Sequence, residues 1–191
     1  FRLLFLLSVQ FSVFPARIIS EGPSKRRKNI VTENELNRII GLFGNNVFQT
    51  AFCYMKSYAD AEDIREEAFI KLYLSSKSFE TDEHIKAWLL RVTANLCKDK
   101  LRSFWYKKIL PLETAMDIGT EEKQTDSFIT YLFMLKSDYR IALYMHYYEG
   151  YTAKEIAKIT GSKENTVLSH LSRGRKQLKD ILLKEGYDEF T

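Results

Sequence analysis

The sequence predicts an all-α protein of two small helical domains joined by a flexible linker. Three observations support this prediction. Apolar residues recur at steps of three and four in separate stretches between residues 36 and 101, as expected of helices that bury one face. Two Thr-x-x-Glu sequences, starting at Thr32 and Thr152, have the spacing of helix capping boxes. The first half of the chain contains no alternating strand pattern of useful length.

The first predicted domain, residues 31–108, opens with a helix. Its capping box begins at Thr32, and an apolar stripe follows from Leu36 to Met55. Glycine is a poor helix former, so Gly41 and Gly44 mark a point where this helix could break.

Two further helices complete this domain. One begins near Asp60, where acidic side chains suit the positive end of the helix dipole. The polar stretch from Ser75 to His84 is predicted to be a loop. The third helix is predicted over Ile85–Tyr106, with its apolar residues on one stripe and Arg91 and Asn95 off it.

A composition change marks the boundary to the second domain. Residues 109–126 contain Pro111 and many acidic or small polar residues without apolar periodicity, which predicts a linker. Helical periodicity resumes over residues 127–185, with a break expected near Ser137, and residues 186–191 form a tail. The second domain is therefore predicted to contain about four helices.

Composition bounds the class of protein. The chain has 191 residues, of which 45% are hydrophobic and 14% aromatic, enough for packed cores. The net charge of +4 is uneven: Asp60–Glu67 is acidic, whereas Lys98–Lys108 and Lys163–Lys179 are basic. This pattern suggests one face for a basic partner and two for a polyanion, the alternative being ordinary solvated helix faces.

The cysteine content excludes two classes of site. Only Cys53 and Cys97 are present, without a CxxC pair or a His/Cys cluster, so neither a disulfide framework nor a metal site is predicted. A reduced, cytoplasmic setting is expected, with Cys53 as a small core residue. No nucleotide-binding glycine loop or paired nucleophile and base occurs, so we expect no catalysis, cofactor or small-molecule substrate.

The N-terminal extension, residues 1–30, combines an apolar run with a basic segment. The run from Phe1 to Phe14 is shorter than the roughly 20 apolar residues that cross a membrane. We interpret the extension as disordered or extraneous, with a membrane or partner anchor as the alternative.

The stretch Thr152–Leu183 has the pattern of a helix-turn-helix. Ala157, Gly161 and Val167 stand where this motif needs a small contact residue, a turn glycine and a buried anchor. Ser162 is predicted to cap the second helix, with His170 on its outer, polar side. A basic helix can also be merely solvated, and some helix-turn-helix proteins bind no DNA.

The second helix of this motif carries side chains suited to DNA. Arginine can bind guanine and asparagine can bind adenine in the major groove, while other basic side chains contact phosphate. The predicted contacts to DNA are Lys163, Glu164, Asn165, Thr166, Ser169, His170, Arg173, Arg175 and Lys176.

Two segments resemble a known family. DAEDIREEAF (Asp60–Phe69) and SFETDEHIKAWLLRVTANLCKDKLR (Ser78–Arg102) are similar to region 2 of bacterial sigma factors of the extracytoplasmic-function (ECF) group. YRIALYMHYYEGYTAKEIAKITGSKENTVLSHLSRGRKQL (Tyr139–Leu178) is similar to region 4 of the same group. The segments follow the family's order, with a linker between them.

The resemblance implies roles for individual residues. In the family, region 2 docks on a basic coiled coil of the polymerase clamp, captures a flipped base of the −10 element and tracks the opened strand, while region 4 binds the polymerase flap and reads the −35 element. The implied polymerase contacts are Asp60, Asp63 and Glu66. The implied −10 residues are Phe79, Glu80, Thr81, Asp82, Arg91, Asn95, Lys98 and Arg102.

Some residues depart from the family pattern or have two interpretations. His170 and Gly174 stand where the family usually has arginine and alanine, and a helical glycine costs about 1 kcal/mol relative to alanine. The −35 sequence is therefore left open. Trp88 is predicted to pack in the core rather than stack on DNA, and Phe104–Tyr106 to pack at a helix end rather than touch DNA.

The resulting hypothesis is a sigma factor that binds core RNA polymerase and promoter DNA and depends on an anti-sigma partner or on its expression level for control. One alternative is a self-sufficient regulator that binds operator DNA as a dimer. A membrane-associated interaction protein is a third interpretation, which explains the N-terminal extension only.

Overall fold

A computed structural model describes residues 31–107 and 127–186. These residues form seven α-helices and no strand, which confirms the all-α prediction. The helices are α1 (Glu33–Met55), α2 (Tyr58–Tyr73), α3 (Asp82–Lys107), α4 (Ser127–Phe133), α5 (Ser137–Tyr147), α6 (Ala153–Thr160) and α7 (Glu164–Lys184). The predicted extension 1–30, the linker 109–126 and residues 187–191 of the tail lie outside the described residues.

Helix α1 is continuous over 23 residues, so the expected break at Gly41 and Gly44 is wrong. Burial of Ile39 and Val47, both 0% exposed, outweighs the cost of two helical glycines. At the start of the helix, Thr32 Oγ1 accepts a hydrogen bond from the Glu35 N–H at 3.3 Å, as the capping box predicts. The Glu35 carboxylate instead accepts bonds from Arg38.

Helices α2 and α3 start earlier than predicted. Ser57 Oγ accepts a bond from the Asp60 N–H and caps α2, which therefore begins at Tyr58. Thr81 Oγ1 accepts a bond from the His84 N–H, and α3 begins at Asp82. In both cases a hydroxyl outside the apolar stripe fixes the helix start, which periodicity alone does not reveal.

A first hydrophobic cluster holds α1, α2 and α3 together. Its buried members are Val31, Ile39, Val47, Ala68, Phe69, Leu72, Ile85 and Leu89. Trp88 packs against this cluster, in agreement with the predicted core role.

Helices α4 to α7 form the second set. The break between α4 and α5 falls just before Ser137, within a residue or two of its predicted position. The complete capping box of Thr152 and Glu155 starts α6 as predicted. Gly161 ends α6 in the left-handed region, with φ 66°, where glycine carries no Cβ penalty.

A second hydrophobic cluster spans both sets of helices. Helix α1 packs against α5, and α3 packs against α6. The cluster joins a second stripe of α3, Leu90, Ala94 and Cys97, to residues of α5 and α6 such as Ile141 and Ile156. The sequence predicted the two sets of helices but not their contact with each other.

Candidate nucleic-acid and polymerase-docking surfaces

Helices α6 and α7 form the predicted helix-turn-helix. Ala157 and Val167 are buried, at 7% and 2% exposure, and Leu171 continues the buried face of α7. In the turn, the Ser162 N–H donates to the Ala157 carbonyl at 2.9 Å while Gly161 adopts its left-handed conformation. The predicted roles of Ala157, Gly161 and Val167 are thus confirmed.

The predicted cap of α7 is wrong by one residue. Lys163, not Ser162, is the N-cap, and its side chain makes no capping hydrogen bond. Ser162 belongs instead to the turn. The start of α7 therefore lacks a capping side chain, and the N–H groups of such a helix start favour binding of a phosphate.

The outer face of α7 carries most of the predicted −35 residues. Asn165, Ser169, Arg173 and Lys176 follow one another at steps of four, four and three, so they lie on one face. Ser169 Oγ donates to the Asn165 carbonyl at 2.8 Å. The predicted −35 residues with exposed side chains are Lys163, Glu164, Asn165, Thr166, Ser169, Arg173, Arg175 and Lys176.

His170 is less exposed than the other predicted −35 residues. Its side chain is only partly exposed, and its ring centroid lies 5.6 Å from that of Tyr139. Together with Tyr54 and Lys98, it lines a cavity of about 50 Å³ between the two sets of helices. The contact with Tyr139 of α5 accounts for this lower exposure.

Gly174 is buried where α7 crosses α5. A Cβ at this position would lie 3.1 Å from Leu143 Cδ1 and 3.2 Å from Tyr139 Cβ. These separations are shorter than the 3.5–4.0 Å of favourable carbon contacts. Counting Gly174 only as a loss of helix stability was therefore incomplete, because the missing side chain permits the close approach of the two helices.

The predicted −10 loop is anchored at both ends. Phe79 packs edge-on against Trp88, with ring centroids 5.6 Å apart. Asp82 accepts two bonds from the Arg38 guanidinium, at 2.7 and 2.9 Å, which lower the pKa of the Asp82 carboxyl. Asp82 was predicted in the loop but occupies the first turn of α3, while Glu80 and Thr81 are exposed before it.

The predicted strand-tracking residues of α3 are divided between two environments. Arg91, Asn95 and Arg102 are exposed on one side of the helix. Lys98 instead is half-buried, and its Nζ donates to the Thr160 carbonyl at the end of α6. Burial lowers the pKa of Lys98. Phe104–Tyr106 have side chains outside the described part of the chain.

The predicted polymerase contacts are partly paired within the protein. Lys100 Nζ lies 2.6 Å from an Asp60 carboxylate oxygen and 3.3 Å from one of Asp63. Asp63 remains 74% exposed, and Glu66 is exposed one turn further along α2. Asp63 and Glu66 can therefore still present negative charge to a basic partner.

Sequence reasoning missed a buried carboxylate between the two sets of helices. The Glu149 side chain is 2% exposed and lies just after α5. It accepts bonds from Asn46 Nδ2 at 2.9 and 3.1 Å and from the Tyr144 hydroxyl at 2.8 Å, and it pairs with Lys86 Nζ at 2.8 Å. No sequence pattern indicated a buried role for Glu149.

Arg140 is a second buried polar group that the sequence did not single out. It is 1% exposed. Its Nε donates to the Cys53 carbonyl at 2.6 Å and its guanidinium also donates to the Leu135 carbonyl at 3.1 Å. Burial lowers the pKa of Arg140. One signal was present: an arginine inside an otherwise apolar helical run indicates a buried partner.

Both sets of helices match families of the same protein class. Residues 39–105 match Sigma-70 region 2, and residues 126–178 match Sigma-70, region 4. RNA polymerase sigma factor SigV of Bacillus subtilis is 30% identical over 141 residues, which cover 72% of this chain and 85% of that relative. The chain belongs to the ECF group of the sigma-70 family. This confirms the family resemblance.

Other relatives place limits on the comparison. ECF RNA polymerase sigma factor SigM of Mycobacterium tuberculosis is 29% identical over 126 residues, and the match covers 64% of each chain. The chain thus spans slightly less than two thirds of that sigma-70 relative.

Solved structures show the same fold. The sigma factor RpoE from Bartonella quintana, solved with the anti-sigma factor NepR, superposes with a TM-score of 0.62 at 21% identity, covering 78% of this chain and 97% of that one. CnrH, solved with the cytosolic domain of CnrY, gives a TM-score of 0.56 at 17% identity, covering 81% and 92%. Within the described residues, no helix combines the length and apolarity needed to cross a membrane.

Proposed function

We propose that this protein is a sigma factor that binds core RNA polymerase, directs it to promoters with −35 and −10 elements and assists strand opening. The observation that supports this function most strongly is the pairing of a region 2 match and a region 4 match in one chain, in that order. A stand-alone regulator would account for α6 and α7 but leave the region 2 helices unexplained, so it is not favoured.

In this proposal the outer face of α7 reads the −35 element. Asn165 and Arg173 have the chemistry to read base edges, while Arg175, Lys176 and the amide groups at the start of α7 hold phosphates. Lys163, Glu164, Thr166 and Ser169 border the same surface. His170, which is only partly exposed, lies at the edge of this surface, so the −35 contact would depend mainly on the exposed residues.

Region 2 would act on the −10 element. The loop residues Phe79–Thr81, with Asp82 at the start of α3, would receive the flipped base, and Arg91, Asn95 and Arg102 would hold the opened strand. Extruding a base costs a few kcal/mol, which a preformed loop and a cationic surface help to offset. The Arg38–Asp82 bonds and the Phe79–Trp88 contact preform this loop.

The acidic face of α2 would dock on the polymerase clamp through Asp60, Asp63 and Glu66, and region 4 would bind the flap. The solved relatives RpoE and CnrH are complexes, the first with an anti-sigma factor, and we extend an anti-sigma partner to this chain as part of the proposal. The protein itself would catalyse no reaction, bind no cofactor and act in the cytoplasm.

Run-off transcription with core polymerase tests this function. Transcripts should appear only when this chain is added, and Arg173→Ala should reduce them on templates that carry the −35 element. Replacing the exposed Lys184, which lies outside the predicted contact set, provides a matched loss of one charge. Operator binding by the chain alone, with no association to core polymerase, would contradict the proposal.

Salt dependence separates the two kinds of DNA contact. Removing one phosphate-binding side chain, as in Lys176→Ala, should weaken binding to all sequences and lower the logarithmic salt slope by about 0.9. Asn165→Ala should instead relax base preference at one position without that change in slope. The measurement is promoter binding by the reconstituted holoenzyme over a salt series.

A further inference from the structure

We infer that the described structure is a closed, self-inhibited state, in which Glu149 and its partners lock region 4 onto region 2. The inference rests on the proposed function, because it concerns access to the same DNA-binding surfaces. It is independent of which promoters or partners the protein uses.

The two promoter elements lie far apart on the DNA. Their names place them about 25 base pairs apart, which is about 85 Å along B-form DNA. A duplex of this length is short compared with the persistence length of about 150 base pairs, so it does not fold back unaided. A sigma factor bound to both elements must therefore hold region 2 and region 4 far apart.

In the structure, region 2 and region 4 instead contact each other. Lys98, from the proposed strand-tracking helix, donates to the carbonyl of Thr160 in the helix-turn-helix. Lys98 and His170 line the same cavity of about 50 Å³. Region 2 and region 4 cannot contact both promoter elements at once in this arrangement, and Lys98, one of the strand contacts predicted from the sequence, is already used internally.

Contacts centred on Glu149 hold the closed arrangement together. Asn46 on α1 and Lys86 on α3 both bind the Glu149 carboxylate, which follows α5. One side chain thus joins region 4 to two helices of region 2. The carboxylate also accepts the Tyr144 hydroxyl bond, which fixes its orientation within region 4.

Two further polar bonds cross the same boundary. Arg140 on α5 donates to the Cys53 carbonyl of α1, and Lys56 Nζ donates to the Phe133 carbonyl at 2.8 Å. The apolar contact beneath these bonds includes Leu90 and Ala94 of α3, both 0% exposed. These contacts define a specific interface rather than an accidental collision of two domains.

Opening is compatible with the sequence. The predicted linker, residues 109–126, could span about 60 Å if it were fully extended. For a partner that binds only the open form, the apparent affinity equals the intrinsic affinity multiplied by the fraction of molecules that are open. Weakening the lock should therefore raise that affinity without any change in the binding surfaces.

The test uses the full chain with Glu149→Gln, which keeps the side-chain shape and removes the charge that binds Lys86. Glu185→Gln makes the same chemical change at an exposed position away from the interface. Asn46→Asp weakens the same contact from the region 2 side, because it places a second carboxylate against Glu149. Because Asn46→Asp leaves Glu149 unchanged, this variant tests the inference even if Glu149→Gln does not fold.

Two measurements report opening directly. Small-angle X-ray scattering should give a larger radius of gyration for Glu149→Gln and Asn46→Asp than for the wild type and Glu185→Gln. Cys53 and Cys97 lie in the second hydrophobic cluster, at 4% and 0% exposure. Burial raises the pKa of each thiol to about 12. Both thiols should react faster in the opened variants while helicity by circular dichroism stays unchanged.

Binding to core polymerase and run-off transcription then test inhibition. Both lock variants should bind core polymerase more tightly by on the order of tenfold, since charge-assisted hydrogen bonds within the lock no longer oppose opening. Unchanged scattering, thiol reactivity and polymerase affinity in both variants would overturn the inference while leaving wild-type transcription, and hence the proposed function, intact. If the variants open but neither they nor the wild type supports core-dependent transcription, the proposed function and the inhibitory role are both overturned.

Discussion

The close crossing of α5 and α7 at Gly174 leads to a quantitative prediction. In Gly174→Ala the new methyl group would meet Leu143 Cδ1 at 3.1 Å, Tyr139 Cβ at 3.2 Å and Leu143 Cγ at 3.3 Å. Leu143 can shift its side chain, but Tyr139 Cβ moves only with the backbone of α5. Overpacking of this kind costs typically 1–3 kcal/mol.

A gain in helix propensity opposes this cost. Alanine is better than glycine in a helix by about 1 kcal/mol. We therefore expect Gly174→Ala to lower the free energy of unfolding by about 1 kcal/mol. Gly41→Ala is the matched control, because Gly41 is exposed inside α1 and a Cβ there would meet nothing within 4 Å. The control should raise the free energy of unfolding by up to about 1 kcal/mol.

Urea unfolding followed by circular dichroism measures both effects. The midpoints of the two variants should move in opposite directions from the wild type, with unchanged m-values. The difference between the variants isolates the packing cost at Gly174, since both gain the same helix propensity. A Gly174→Ala protein as stable as Gly41→Ala would refute the close-packing role assigned to this glycine.

Two further predictions concern other parts of the interface and of the helix-turn-helix. Arg140→Met should lower the free energy of unfolding by about 3 kcal/mol, because two buried carbonyls lose their donors; a change below about 1 kcal/mol in urea unfolding would contradict the role of this arginine. Bonds to Thr152 hold the pKa of the Glu155 carboxyl below its usual value, so their stabilisation is present above the unfolded pKa and is lost as pH falls through the lower folded pKa. Thr152→Ala should reduce the pH dependence of the melting temperature below the usual pKa of a glutamate, and an unaltered profile would show that the cap does not act through this carboxylate.

Local patterns predicted much of the fold. The α6 capping box, the turn at Gly161 and the buried anchor Val167 all depend on residues within a few positions of one another, and all are confirmed. The starts of α2 and α3 were less accurate, since Ser57 and Thr81 set them through single hydroxyl bonds outside the apolar stripe.

The second stripe of α3 shows why other features were missed. Leu90, Ala94 and Cys97 are spaced at helical intervals, but the sequence does not say which surface would cover them. Similarly, the sequence placed His170 on the outer face but did not show that its ring also contacts Tyr139 and lines the adjoining cavity. Gly174 was counted only as a loss of helix stability because the residues that pack against it, on α5, are more than thirty positions away in the chain.

The sequence by itself determined the all-α class, the helix-turn-helix and the ECF sigma-factor family, because each rests on short-range spacing and on motifs a few dozen residues long. Only the tertiary structure decided that region 4 packs on region 2, that Glu149 binds Asn46 and Lys86, and that Lys98 is directed to Thr160. These contacts join residues about 60 to 100 positions apart. Their partners are chosen by the burial of apolar faces and the pairing of buried charges in three dimensions, which no local periodicity encodes.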